Sequence, residues 1–126
     1  MEIGANYLGN GKCEFIVWAP FLKKVELKIA SSADARGTLS SRYIPMSRYE
    51  SGYWRVIAED AFPGTLYLYR LDGEKERPDP ASHSQPGGVH QPSQVVEHGH
   101  FAWEDGFWKG LDTSRMIMYE LHVGTF

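Results

Sequence analysis

The run Lys24-Val25-Glu26-Leu27-Lys28-Ile29-Ala30 alternates charge and hydrocarbon with a period of two. Successive side chains on an extended chain point to opposite faces, so Val25, Leu27 and Ile29 share one side and Lys24, Glu26 and Lys28 the other. This is a strand with one buried and one wet face. Lys23-Lys24, the only basic pair, reads as its solvated start rather than as an anion-binding patch.

Upstream, Cys13-Glu14-Phe15-Ile16-Val17-Trp18-Ala19 is aromatic and β-branched, with Glu14 as its only charge. It reads as a strand covered on both faces, with Trp18 in the core. Pro20 closes it, because proline donates no ladder hydrogen bond. Gly4 to Leu8 and the turn Gly9-Asn10-Gly11 lead into it in hairpin fashion. Further strands are expected at Tyr53–Ala58 and Leu66–Leu71, the second introduced by Pro63-Gly64 and closed by Asp72-Gly73. Short strands, intervening turn residues and the lack of a 3.6-residue period predict an all-β antiparallel sandwich.

Ser31 to Ser41 is small and polar and reads as an inter-strand loop without function. Beyond Asp72 the texture changes, and Arg77 to Ser93 holds four prolines and two glycines, too many for a long ladder. Val89, Val95, Val96 and the cluster Phe101, Trp103, Phe107 and Trp108 supply anchors that disordered linkers lack. Residues 74–115 are therefore expected to form an ordered strap on the sandwich. Met116 to Val123 opens as an unbroken apolar run, the pattern of a buried parallel strand, but such a strand needs neighbours and none follow.

A length of 126 residues with 42% hydrophobic content suits one domain. The net charge of −3 comes from interspersed acids and bases, which argues against nucleic acid and membrane as partners. One cysteine, Cys13, forms no internal disulfide and suggests a reducing, cytoplasmic setting. The start, Met1 to Asn6, has no basic or apolar leader, and no stretch approaches the ~18 apolar residues of a membrane span.

Glycoside hydrolysis needs two carboxyl groups flanking a bond, and the candidates Glu59-Asp60 and Glu104-Asp105 are adjacent pairs in turn positions. Neighbours on an extended chain face opposite ways, so neither forms an acid and nucleophile unit. Of His83, His90, His98, His100 and His122, the pair His98 and His100 would share one side of a strand, but nothing nearby completes a metal site. No serine sits in a nucleophile elbow, and Gly87-Gly88 is too hemmed by prolines to cradle phosphate. No catalytic residue, metal or cofactor is expected. Aromatic rings can stack on the CH faces of sugars, and Trp54, after the Gly52-Tyr53 turn exit, is the first candidate for carbohydrate binding.

FIVWAP (15–20), KKVELKI (23–29), GYW (52–54), PGTLYLYRLDG (63–73) and RPDPAS (77–82) together resemble the isoamylase-type N-terminal, early-set immunoglobulin-like domain of glycoside hydrolase family thirteen. QPGGVHQPSQVV (85–96) and MYELHVGTF (118–126) are most similar to the malto-oligosyltrehalose trehalohydrolases, with glycogen branching enzymes next. The resemblance implies an immunoglobulin-like sandwich with its strap over residues 1–115. It implies that 116–126 is the first strand of a truncated (β/α)8 catalytic barrel, whose site would form at the C-terminal ends of its strands. The family's catalytic carboxylates lie on later barrel strands, so this stretch inherits none of them. The expected role is a non-catalytic module that packs on its own barrel, in a parent that cleaves the α-1,4 bond releasing trehalose. The alternatives are an autonomous starch- or glycogen-binding module, with an α-glucan oligosaccharide as partner, or a module of a 1,4-α-glucan branching enzyme.

Overall fold

The computed structural model describes residues 2–30, 41–99 and 102–125. The chain runs through β1 (Gly4–Gly9), β2 (Lys12–Trp18), β3 (Val25–Ala30), β4 (Ser41–Pro45), β5 (Ser47–Arg48), β6 (Tyr53–Ala58), β7 (Leu66–Leu71), β8 (Lys75–Arg77) and β9 (Ser93–Gln94). One antiparallel sheet has the order β1-β2-β6-β5; the other runs β4-β3-β7-β8, with β9 also beside β7. The expected all-β sandwich is thus observed, and all five strands expected over residues 4–71 are present.

The period-two pattern fixes which face of each strand is inside. Cys13, Phe15 and Val17 of β2 meet Val25, Leu27 and Ile29 of β3 and Tyr67 and Tyr69 of β7 in one buried cluster. Phe15 packs edge-on to Tyr67 with ring centroids 4.8 Å apart, which joins the middle of one sheet to the middle of the other. Register agrees with this arrangement, since Leu27 lies opposite Tyr69 and Ile29 opposite Tyr67. Burial pushes the Cys13 thiol up to about 12, helped by the charge of Glu14, so the sulfur is an inert core group rather than a nucleophile.

The turns behave as their residues require. Asp72 and Gly73 both take positive φ, and the Asp72 carboxylate accepts the backbone N–H groups of Lys23 and Lys24, each at 2.9 Å. The basic pair therefore marks a strand start tied to the neighbouring hairpin. Four short strands went unread in the sequence. β4 and β5 are sheet edges, where Pro45 is tolerated because one side of the strand needs no ladder bond. β8 and β9 are fragments of three and two residues at the two ends of the proline-rich segment. Of the loop read at 31–41, residues 31–40 lie outside the described residues and Ser41 opens β4.

The strap divides into two parts. Its first part is held: β8 and β9 pair with β7, and Asp79, Ser93 and Val95 are buried. The Asp79 carboxylate accepts hydroxyl hydrogen bonds from Tyr67 at 2.7 Å and Tyr69 at 3.2 Å, and its second oxygen accepts from Ala81 N at 2.8 Å. Burial, then the adjacent carboxylate, drives both phenol pKa values upward, so each hydroxyl remains a donor. The side chains expected as anchors farther on are not buried where they are described. Val89, Trp103, Phe107 and Trp108 are exposed, while Phe101 lies outside the described residues.

Asp79→Ala should lower stability by about 3 kcal/mol, because two buried tyrosine hydroxyls lose their acceptor. Tyr69→Phe, which removes only one donor, should cost about 1 kcal/mol. Urea unfolding followed by tryptophan fluorescence measures both, and equal losses would contradict the shared-acceptor arrangement.

Candidate functional site

Alternation along β2 and β6 decides what faces solvent on the β1-β2-β6-β5 sheet. Cys13, Phe15 and Val17 point inward, so Glu14, Ile16 and Trp18 share the outer face. Trp18, read from the sequence as core, is 58% exposed there. Phe15, Ile16 and Val17 are all buried, so the middle of β2 is covered on both faces as expected, and only Trp18 at its end opens to solvent. On β6 the same logic turns Trp54 inward and leaves Arg55 and Ile57 outward. Trp54 is only 5% exposed, its indole N–H donates to Ala19 O at 2.9 Å, and the Arg48 guanidinium lies 5.8 Å from its ring. The residue expected to carry a sugar platform is thus buried and offers no ring face to a ligand.

The two tryptophans tie adjacent loops together. Trp54 reaches the loop after β2, while Trp18 donates its indole N–H to Ser51 O, in the turn before β6, at 3.0 Å. Ala19 N donates to Gly52 O at 3.0 Å, and Tyr49 N to Tyr53 O at 2.7 Å. Within this turn Ser51 has φ +58° and Gly52 φ +85°. A Cβ on Gly52 would lie 2.5 Å from Pro20 Cβ, so the close approach of the two loops admits only glycine. The clamp holds Tyr49, half exposed, at the edge of the sheet.

Beside Tyr49 lie two shallow grooves. One, of about 310 Å³, is lined by Glu14, Ile16, Tyr49 and Arg55. The second, of about 330 Å³, is lined by Ser47, Tyr49, Arg55, Val56 and Ile57. Tyr49 and Arg55 form their common wall. Arg55 donates through Nε and Nη2 to one oxygen of Glu14, each at 2.5 Å. In sequence terms this surface could have been found from Arg55 and Glu14, whose charges mark the wet side of their strands. Tyr49 carried no such signal, because its exposure depends on a turn closed by residues far away in sequence.

The outer face of the β4-β3-β7-β8 sheet has another character. Glu26 is buried beneath Lys24 and Arg70, at 3.0 and 2.7 Å, while Lys28 pairs with Glu76 at 2.7 Å. Tyr43 donates to Glu76 at 2.8 Å and lies under the Arg70 guanidinium, 3.8 Å from its ring. Burial pushes the Glu26 carboxyl up, but the hydrogen bonds from Lys24 and Arg70 outweigh it and leave a net downward shift. The Lys28 hydrogen bond lowers Glu76 as well. This is a closed network that leaves little for a ligand.

The carboxylate pairs considered for hydrolysis lie in solvent. Glu59 pairs with Lys12 at 3.3 Å, and Asp60, Glu104 and Asp105 are exposed. His83 and His98 meet with ring nitrogens 3.0 Å apart, whereas His100 lies outside the described residues. Among the described residues no three His, Cys, Asp or Glu side chains gather as a metal site, and no helix is long and apolar enough to cross a membrane.

Comparison with known proteins fits this architecture. Residues 2–85 match the model of carbohydrate-binding module 48, the isoamylase N-terminal domain. The chain is 37% identical over 112 residues to a malto-oligosyltrehalose trehalohydrolase of Saccharolobus solfataricus, covering 89% of this chain and 18% of that protein. It is 31% identical over 121 residues to the 1,4-alpha-glucan branching enzyme GlgB of Cutibacterium acnes, covering 87% and 18%. A crystal structure of a Salmonella typhimurium protein assigned as an alpha amylase superposes with a TM-score of 0.73 at 32% identity, covering 98% of this chain and 20% of that one. The chain therefore spans about a fifth of the length of the relatives it matches.

Trp54→Ala should cost about 4 kcal/mol, the size expected for emptying an aromatic core position. Denaturant unfolding checks this, and a change below ~1 kcal/mol would argue against a buried ring. The Glu26 and Glu76 pKa values are depressed on folding, so their contribution is complete above the ordinary glutamate value of 4.5 and fades as pH falls through the lowered values. Stability measured from about pH 7 down to about pH 3 should be level and then fall, and the fall should be smaller in Lys28→Met.

Proposed function

Because the chain belongs to the carbohydrate-binding module 48 (isoamylase N-terminal domain) family, we propose that it serves an α-glucan-active glycoside hydrolase as a non-catalytic N-terminal module. The parent on this reading hydrolyses the α-1,4 bond that releases trehalose from malto-oligosyltrehalose. The observation that carries it is the 37% identity to the Saccharolobus solfataricus trehalohydrolase, sustained over 89% of this chain and so well past the residues matched by the family model. Residues 1–115 then form the sandwich with its strap, and 116–126 form the first strand of a (β/α)8 barrel.

The exposed apolar side chains of the C-terminal stretch support that division. Trp103, Phe107, Trp108, Ile117, Met118 and Tyr119 all face solvent in the chain by itself. So many large exposed apolar side chains in one stretch suit a surface that is covered, and a barrel in the same chain is the cover proposed. On this reading the module braces the barrel and shapes one side of its cleft, and the carboxylate pairs Glu59-Asp60 and Glu104-Asp105 lie in solvent. The inert, buried Cys13 suits a cytoplasmic enzyme. A module of a branching enzyme is the second reading, favoured by the similarity to GlgB.

The test is to express this chain together with the coding sequence that follows it in its gene and to supply maltotriosyltrehalose. Release of free trehalose is expected. Formation of α-1,6 branches on amylose without trehalose release would instead establish the branching reading.

A further inference from the structure

We propose that His83 and His98 form a two-histidine site for a divalent transition-metal ion, which ties the start of the strap to its end. By sequence, His98 and His100 are the natural pair; the fold instead sets His98 against His83, 15 residues earlier. His83 Nδ1 and His98 Nε2 lie 3.0 Å apart, with ring centroids 4.8 Å apart and ring planes crossed at 69°. Both residues are exposed, so an ion reaches them directly from solvent. The site is independent of the activity proposed above.

Distance selects the ion. Imidazole nitrogen binds such metals at about 2.0–2.1 Å, so two nitrogens 3.0 Å apart subtend roughly 95° at the metal. That is the angle between neighbouring ligands of a square-planar or octahedral centre, whereas tetrahedral zinc needs about 3.3 Å between nitrogens. Two imidazoles with open tetragonal positions suit Cu(II) first and Ni(II) next. Water fills those positions, since among the described residues no third His, Cys, Asp or Glu completes a group with the pair.

The protons balance without a change of charge on either ring. In the hydrogen-bonded pair one facing nitrogen carries a proton and the other accepts it. With a metal between them both facing nitrogens present lone pairs, and the donor ring carries its proton on its far nitrogen instead. Each imidazole stays neutral, and the ion exchanges two of its waters for two nitrogens.

The backbone holds the rings in register. Ser82 N donates to Asp79 O at 3.1 Å and Ser82 Oγ to Ser84 O at 2.9 Å, which fixes the turn that carries His83. Gln94 N donates to the same Ser84 O at 2.8 Å, and the buried Val95 donates its N–H to Thr65 O at 2.9 Å, three residues before His98. A pair preset in this way loses little freedom on binding. Between exposed rings a hydrogen bond alone stabilises little, because water serves each nitrogen as well. A bound ion makes the same contact a brace, since in the unfolded chain the two rings are far apart. His122 differs, its Nδ1 facing a hydroxyl, Thr125 Oγ1, at 3.1 Å.

Titration of the 126-residue chain with CuCl2 in a non-chelating buffer, followed by electron paramagnetic resonance and urea unfolding, is the deciding experiment. Saturable binding with a dissociation constant of about micromolar is expected, with nitrogen couplings from both imidazoles in the spectrum. His83→Ala and His98→Ala should each weaken binding about tenfold or more, while His90→Ala and His100→Ala should leave it unchanged. Copper should raise the urea midpoint of the wild-type chain and not that of His83→Ala. Without metal the two midpoints should agree, because the ring removed is exposed and the loss of binding is then not unfolding. NiCl2 should bind the same pair more weakly. Full affinity in His83→Ala, or a loss in His100→Ala that places copper on His98 and His100 instead, would overturn the site. So would the absence of binding at ~1 mM copper. None of these readouts involves trehalose release, so failure of the site and failure of the functional reading are separable.

Discussion

Tyr67 stands where the two halves of this structure are joined. Its ring packs edge-on against Phe15 across the sandwich, and its hydroxyl donates to the buried carboxylate of Asp79, which pins the start of the strap. The ring contact is hydrophobic and holds sheet to sheet; the hydroxyl contact is polar and holds an irregular segment to a strand. A buried carboxylate without donors would be costly, and here it has two tyrosine hydroxyls and a backbone N–H. Among the described residues no buried side-chain nitrogen or oxygen is left without a partner.

This constraint holds the proline-rich segment at its two ends, through Asp79 and through Ser93 and Val95, while residues 86–91 between them stay exposed. Residues 75–77 and 93–94 pair with β7 and Asp79 occupies a polar socket, whereas residues 102–125 form no strand. The same apolar residues that read as anchors in the sequence become, in the folded chain, a surface looking outward. Between the two outer faces of the sandwich the contrast is also physical. One is closed by a network of paired charges, and the other carries shallow grooves beside Tyr49 and the Arg55–Glu14 ion pair.

Much of the fold was legible because period-two alternation is a direct consequence of strand geometry. Val25, Leu27 and Ile29 were assigned inward from their pattern alone, and they lie there. Trp18 and Trp54 were harder. Both lie in strands rich in hydrocarbon, and only strict alternation with Glu14 and Arg55 separates the outward ring from the inward one. The edge strands β4 and β5 gave little signal, since a strand with one partner tolerates proline and polar residues.

By itself the sequence determined the fold class, the central strands with their inward faces, the hairpin turns at 9–11 and 72–73, and a kinship visible in its motifs. These follow from local geometry: side-chain alternation and the few residues that accept positive φ. Only the tertiary structure decided which tryptophan is core and which is surface, where the strap ends its hold, and that Tyr49 and Arg55 stand together. Those outcomes depend on contacts between residues distant in the chain. Trp18 is fixed by Ser51, Trp54 by Ala19, and Asp79 by Tyr67 and Tyr69, and no local pattern encodes such partners.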